Sequence, residues 1–427
     1  MYILYDIFLY LASLVFIPIF IVKMIKTGKY RAGNKERLGF ISREKLSPIT
    51  GNRTIWINAV SVGETKAVLP LIRAFRTQHP DIKIAFSTNT MTGQEVAIKE
   101  GRELIDLLFY YPFDYSWVIK RVLNQLKPVA FIVVEKELWP NTMRLTKERN
   151  IPSIIVNGTI SDNSFKNYKK VPFIFKDTFA NIRAYCAQTE EDRRKAQTLG
   201  TSSVILTGNL KFDSTPPKLS EAAKEALAKE LFIKMTDDII VAGSTHRGEE
   251  EIILRSFTEL KEDFPSLRLI LAPRHPERFD EVAKLLSSMQ IDYIRRSRIN
   301  ETNSYSPADV ILLDTIGELG LIYSLATVAF IGGSLVDGVG GHNLLEPAFF
   351  SKPVLYGKHI YSCIAMAELL EESNGAVRVT KASLTGTLKD LLADKDASAK
   401  MGIAAYRAAI DGTGATSKTL DVINSLL

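Results

Sequence analysis

Thr327-Val328-Ala329-Phe330-Ile331 runs into Gly332-Gly333-Ser334 and, after a short loop, into Gly340-Gly341-His342-Asn343-Leu344-Leu345-Glu346-Pro347. This reads as a buried strand that ends in a glycine-rich turn and opens a helix at His342-Asn343. Backbone N–H groups at such a junction have no intrahelical partner, and the helix dipole adds partial positive charge. The turn is therefore a seat for a phosphate. Glu346, one turn into the helix, is placed to reach past a phosphate to ribose hydroxyls. A glycine-rich loop that only redirects the chain has the same appearance.

The pattern repeats outward on both sides. Apolar runs at 54–60, 82–88, 107–111, 129–135, 153–157, 184–188 and 203–208 alternate with helical patterns such as 65–78 and 115–126. After a break at Asp213-Ser214-Thr215-Pro216-Pro217 and a helical stretch at 221–231, runs at 239–243, 267–272, 291–295, 310–313, 327–331 and 353–356 restart the alternation. Strands alternating with helices predict parallel sheets covered by helices. We read two α/β domains, 53–213 and 237–427, joined by a linker at 214–236. A chain of 427 residues with 46% hydrophobic and 24% charged content suits this organisation. The two cysteines, Cys186 and Cys363, form no disulfide framework.

Residues 1–22 carry one charged side chain, Asp6. About 20 apolar residues span a bilayer core. Lys23, Lys26, Lys29, Arg31, Lys35 and Arg37 follow at once, and positive charge marks the cytoplasmic flank. The expectation is a membrane anchor at 1–22 and a basic juxtamembrane segment at 23–52, with the remainder in the cytoplasm; an interfacial or buried helix is the other reading. The first 45 residues hold eight Lys/Arg against three Asp/Glu, a net of +5 out of +6 for the chain. The positive charge thus sits beside the apolar segment, where it suits anionic lipid headgroups. It provides no basic domain face for nucleic acid.

In open α/β sheets, ligands lie beyond the carboxyl ends of the strands. Ser61-Val62-Gly63-Glu64 follows the first run. Glu64 begins a helix and can act as a general base toward a hydroxyl. The helix N-terminus should lower its pKa, and a nearby anionic substrate should raise it. It can also serve only to complement the dipole. Glu135-Lys136-Glu137-Leu138-Trp139-Pro140-Asn141 follows the fourth run, with Glu135 partly desolvated and in need of a partner; a structural ion pair is the plain alternative. Lys211, in Gly208-Asn209-Leu210-Lys211-Phe212-Asp213, can neutralise a departing phosphate or simply be solvated. In the second half, Arg274 of Ala272-Pro273-Arg274-His275-Pro276-Glu277-Arg278 is placed for bidentate phosphate contact or a surface ion pair. His275 is read as packing beside it. Thr315 to Glu318 would form another helix N-terminus with free N–H groups. The five histidines show no metal-ligand spacing. No Gly-x-Gly-x-x-Gly follows the first strand of either half, which argues against a dinucleotide oxidoreductase.

Together these motifs resemble the 3-deoxy-D-manno-octulosonic acid (Kdo) transferases of lipopolysaccharide assembly. The carriers are Ala59-Val60-Ser61-Val62-Gly63-Glu64, the Glu135–Asn141 and Gly208–Asp213 stretches, Ser244-Thr245-His246-Arg247-Gly248-Glu249-Glu250, Ala272 to Phe279, and the region from Gly332 to Glu346. The resemblance implies a GT-B fold, two Rossmann-like domains facing across a cleft, with an N-terminal membrane-anchor helix at the inner membrane. It implies an inverting, metal- and cofactor-independent transfer of Kdo from CMP-Kdo to a lipid A precursor (lipid IVA). By matching motif, Glu64 would take the acceptor proton, and Glu135 and Lys211 would stabilise the transition state. Pro273, Arg274, Ile316, Gly317, Glu318, Asn343, Leu344, Leu345 and Glu346 would hold CMP. The sequence departs from the family where Asn157-Gly158-Thr159 replaces the common Asn-Ala-Arg, and where Asn58 stands for a common histidine. The loop from Val336 to Gly340 is one residue longer. The rival readings are a GT-B transferase using another nucleotide sugar and a non-catalytic, membrane-tethered nucleotide-binding scaffold.

Overall fold

The computed structural model describes residues 2, 5–7, 9–14, 33–213, 219–299 and 308–427. The chain divides into two units, one comprising positions 1–214 with 412–427 and the other 215–411.

Among the described residues the first unit holds a seven-stranded parallel sheet. Its strands are β1 (Thr54–Asn58), β2 (Lys83–Thr88), β3 (Leu107–Tyr110), β4 (Ala130–Val134), β5 (Ser153–Gly158), β6 (Ala184–Ala187) and β7 (Val204–Leu206). They lie in the order β3-β2-β1-β4-β5-β6-β7. β1 and β4 are buried along their whole length, because helices cover both faces. This is why their sequences read as continuous apolar runs instead of alternating ones. The chain reverses direction of travel across the sheet between β1 and β4, so the crevice beyond their carboxyl ends is the natural ligand position.

The second unit repeats the plan with β8 (Asp238–Thr245), β9 (Leu267–Pro273), β10 (Tyr293–Arg295), β11 (Val310–Leu312), β12 (Val328–Ile331), β13 (Val354–Tyr356) and β14 (Ala376–Arg378), in the order β10-β11-β9-β8-β12-β13-β14. Every described pairing is parallel, as in β8 with β9 and β12 with β8.

Two boundaries differ from the sequence reading. The second domain does not run to 427. Ala415, Leu420 and Ile423, on the helix Ala415–Asn424, complete the first unit's core beside Val68, Leu71, Ile72 and Phe75 of the helix Val62–Gln78. The Asp213 carboxylate accepts the Gly414 N–H at 2.7 Å and also the Thr416 N–H, which caps this last helix. Nor is 214–236 wholly a linker. The helix Glu221–Glu230 belongs to the second unit, where Glu230 pairs with Arg296 at 2.6 Å. Positions 214–218 lie outside the described residues.

At the other end, residues 2, 5–7 and 9–14 are helical. The single charge of the apolar stretch, Asp6, accepts hydrogen bonds from Asn141 Nδ2 at 2.7 Å and from the Ser116 N–H and hydroxyl. Tyr10 stacks on Tyr115 with ring centroids 5.3 Å apart. An isolated carboxylate on an apolar helix is costly, and docking on the first unit gives it partners. No helix among the described residues is long and apolar enough to cross a membrane. Positions 15–32, which hold the rest of the expected anchor and the start of the basic segment, lie outside the described residues.

Replacing Asp213 by Ala strips the cap from the last helix. We expect it to lower the unfolding free energy by roughly 1–3 kcal/mol in urea titrations, since two backbone donors lose a charged acceptor.

Candidate active site

In the first unit the helix after β1 begins at Val62, with Ser61 as its cap; the Ser61 hydroxyl accepts the Glu64 N–H at 3.3 Å. Glu64 thus starts close to the helix mouth, and its side chain folds back so that Oε2 accepts the Val60 N–H at 2.6 Å. The carboxyl is only 6% exposed. Burial pushes it up to about 7, against the Val60 hydrogen bond, and the neighbouring Glu135 and Glu137 carboxylates push in the same direction. The expected lowering by the helix terminus is overturned: desolvation outweighs one backbone donor and the dipole.

Glu135 follows β4 with φ +64°, and Asn157, next to last in β5, has φ +55°, both in the left-handed region. Non-glycine residues held there concentrate at functional sites. Glu135 Oε1 receives Lys211 Nζ at 2.8 Å and Asn157 Nδ2 at 3.4 Å. The Asn157 Oδ1 in turn accepts the Leu210 N–H at 2.9 Å, which fixes the short helical turn carrying Lys211. The three expected catalytic residues therefore come from three strand ends of one sheet. Glu137, half-buried and raised by burial, is a further carboxylate that the sequence reading did not single out as functional. The departures also have structural counterparts. A Cβ at Gly158 would lie 2.4 Å from the Tyr185 ring, so the tyrosine takes the room a side chain would need. Asn58 is buried and accepts the Ser87 hydroxyl at 2.9 Å.

In the second unit the glycine-rich turn behaves differently from the expectation. The N–H groups of Gly333, Ser334 and Leu335 all donate to the Glu249 carboxylate, at 2.7, 3.0 and 2.8 Å. A protein carboxylate thus holds the first part of the turn, just after β12, and not the stretch from Gly340 to Asn343 that the sequence marks as the phosphate seat. The helix also starts later, at Leu345, and spans only Leu345–Ala348. The reason is local: Asn343 Oδ1 accepts the Leu345 N–H at 3.0 Å and its amide reaches Glu346 Oε1 at 3.3 Å, so Asn343 sits outside the helix. Leu344 and Leu345 are buried in the core, and the Leu345 N–H is already held by Asn343. The bend at 315–317 precedes a short helix, Leu319–Ile322, so these residues are not its first turn. Ile316 is 77% exposed, while Glu318 is bound to Arg296 at 2.7 Å.

Pro273 ends β9, and the Arg274 N–H donates to the Thr245 carbonyl at 3.0 Å, which ties the loops after β8 and β9 together. Arg278 is held by Glu250 at 2.7 Å and by Glu281. Arg274 is exposed, and among the described residues it pairs with no carboxylate, so its guanidinium is open to an anion. Beside it stand His246, His342 and His275. His246 and His342 have their Nε2 atoms 2.8 Å apart, and His275 meets His246 edge-on at 5.2 Å between centroids. The spacing of these histidines along the chain gives no sign of the cluster. The available signal was positional: His246 directly follows β8, and His342 follows the turn after the adjacent β12.

Residues 32–214 match the model of the 3-deoxy-D-manno-octulosonic-acid transferase (kdotransferase) family. The chain is 36% identical over 408 residues to a 3-deoxy-D-manno-octulosonic acid transferase of Haemophilus influenzae, covering 94% of this chain and 93% of the relative. The chain belongs to the Kdo transferase family. A Kdo transferase from Aquifex aeolicus is 32% identical over 357 residues, covering 83% of this chain and 90% of that one. The Kdo transferase described here is a glycosyltransferase that moves Kdo in lipopolysaccharide biosynthesis. Its two parallel-sheet units have the GT-B architecture: a glycosyltransferase from Rickettsia africae superposes with a TM-score of 0.56 over 88% of this chain and 99% of that one, at 14% identity.

Glu64 of this Kdo transferase makes a sign-specific contribution to stability. Its carboxyl has an unperturbed value of 4.5 and titrates near 7 in the folded state. Between these values the folded chain binds more protons than the unfolded one, so stability falls as pH rises. Glu64→Gln should abolish that slope. Relative to the natural protein, the variant should gain on the order of 3 kcal/mol from the acid to the alkaline side of the window, measured by urea unfolding at a series of pH values.

Proposed function

We propose that this enzyme is an inverting, metal-independent transferase that moves Kdo from CMP-Kdo to a hydroxyl of a lipid A precursor, lipid IVA. Glu64 carries the reading. A carboxyl buried beside two other acids, with one backbone donor, has a proton affinity matched to general-base work near neutral pH. In this reading Glu64 removes the proton from the acceptor hydroxyl as its oxygen attacks the anomeric carbon. The bond from that carbon to the phosphate oxygen breaks on the opposite face, and its electron pair leaves with CMP. Positive charge develops on the sugar ring and negative charge on the phosphate, so fixed groups of both signs are needed. Glu135, oriented by Lys211 and Asn157, answers the first. Lys211 and Arg274 answer the second. Asn343 and Glu346, mutually bonded, are assigned to the ribose, and exposed Ile316 with Gly317 to the base.

We further propose that the N-terminal segment anchors the enzyme to the inner membrane, as a single pass with both units on the cytoplasmic side. The apolar run, its basic flank and a lipid acceptor support this reading.

The test is mass analysis of the lipid after incubation with CMP-Kdo and a tetra-acylated lipid A precursor, with UDP-sugars as competing donors. We expect added Kdo, inhibition by CMP and none by UDP. Glu64→Gln should lower kcat by roughly 10²–10⁴ while CMP still binds, and kcat/KM of the natural enzyme should rise with pH through about 7 as Glu64 ionises. Full turnover by Glu64→Gln would refute the assignment.

A further inference from the structure

The His246–His342 contact lies beside Arg274, which pairs with no carboxylate among the described residues. The two rings are nearly parallel, 13° apart with centroids at 5.1 Å, and their Nε2 atoms approach to 2.8 Å. At that separation one nitrogen must donate and the other accept, so the pair holds a single proton between its facing atoms. It can be neutral or carry one charge, not two. The backbone is arranged to bring the rings together. The His246 N–H is held by Glu249 Oε2 at 2.9 Å, and the same carboxylate grips the turn that precedes His342. Gly333, with φ +69°, leaves the space for the ring: a Cβ there would lie 3.1 Å from His342 Cδ2 and Nε2.

We propose that the His246–His342 pair forms, with Arg274, a proton-accepting seat for the phosphate of the nucleotide. This rests on the assignment of Arg274 to the donor. The surroundings decide the charge of the empty pair. Arg274, His275 and Arg278 face it from the loop after β9. On the helix Glu249–Asp263, Glu249 is surrounded by four backbone N–H groups, and Glu250 is taken up by Arg278 and the Thr245 hydroxyl. Asp337, on the loop between β12 and His342, lies 3.4 Å from His359, and Glu277, on the loop after β9, lies 3.7 Å from His275; both carboxylates are largely exposed. Among the described residues no carboxylate bonds to either ring of the pair. Burial and the adjacent cations press both imidazoles down to about 4, so the empty seat is neutral.

A bound phosphate supplies the missing negative charge and raises the proton affinity of the pair. The intact donor is a phosphodiester with one negative charge, whereas the released CMP is a monoester able to carry two. As the carbon–oxygen bond breaks and its electron pair moves to the phosphate, the imidazolium can answer the added charge by hydrogen bonding. The proton stays on nitrogen and no covalent bond to histidine forms. The seat would therefore favour the leaving group over the intact donor.

The experiment measures binding of sulfate, a tetrahedral dianion of fixed charge, and of CMP to the full chain by calorimetry across pH. Sulfate affinity should fall by about tenfold per pH unit as pH rises from the titration of the empty pair towards that of the occupied pair. His246→Asn and His342→Asn should each flatten that slope. In the unmodified protein, long-range ¹⁵N spectra of the histidines at neutral pH should show an imidazolium signature on adding CMP. A pH-independent sulfate affinity, a slope unchanged in both folded variants, or histidine spectra that stay neutral with CMP bound would overturn the inference and leave the donor assignment standing. Failure of both CMP and sulfate to bind would overturn the two together.

Discussion

A carboxylate at the mouth of the helix that follows the first strand organises each unit. Glu64 follows β1, which lies between β2 and β4; Glu249 follows β8, which lies between β9 and β12. Both occupy the topological switch point, and both fold back onto a backbone N–H of the preceding turn, Val60 in one case and His246 in the other. Their fates diverge with the number of donors. Glu249 collects three more N–H groups from the turn after β12 and is fully committed to holding loops together. Glu64 has one, and burial lifts its proton affinity without a compensating set of donors. Charge-assisted hydrogen bonds to backbone N–H groups stabilise an ionised carboxylate; burial raises both carboxyls all the same, and what separates them is that four donors already occupy the oxygens of Glu249.

The groups around Glu64 extend the same logic. Glu135 is bound to Lys211 and Asn157, while Glu137 remains half-buried with its carboxyl raised. The ion pair fixes a negative and a positive group at defined positions, and the negative charge of Glu135 and Glu137 adds to the burial that raises the proton affinity of Glu64. In the second unit Arg274 pairs with no carboxylate among the described residues, and His246 and His342, pressed down by burial, stand beside it. Neither group requires a metal to be argued for; each follows from burial and from which neighbours already hold a partner.

Much of this was legible in the sequence. Strands buried on both faces produce continuous apolar runs, so β1, β4, β5, β9 and β12 stood out, and the residues just after them marked the sheet edge where Glu64, Glu135 and Arg274 sit. What escaped depends on tertiary partners. The Ala415–Asn424 helix has no local sign that it completes the first unit's core. β14 is three residues long with two of them exposed, and offers no run to read. The N–H groups of Gly333, Ser334 and Leu335 have no local partner; their acceptor, Glu249, lies more than eighty positions away. The direction of the Glu64 shift failed for the same reason. The dipole is a local feature, but burial is set by the whole fold. Histidines chosen for metal spacing hid a pair that meets only when β8 and β12 are neighbours.

The central claim is that Glu64 holds its proton close to neutral pH because it is buried with a single backbone donor. Infrared difference spectra of the ligand-free protein test this directly through the carbonyl stretch of the protonated carboxyl. The account expects a band that disappears as pH rises through about 7 and is missing from Glu64→Gln. A Glu64 carboxyl that is already ionised at the 4.5 of an unperturbed side chain would contradict it.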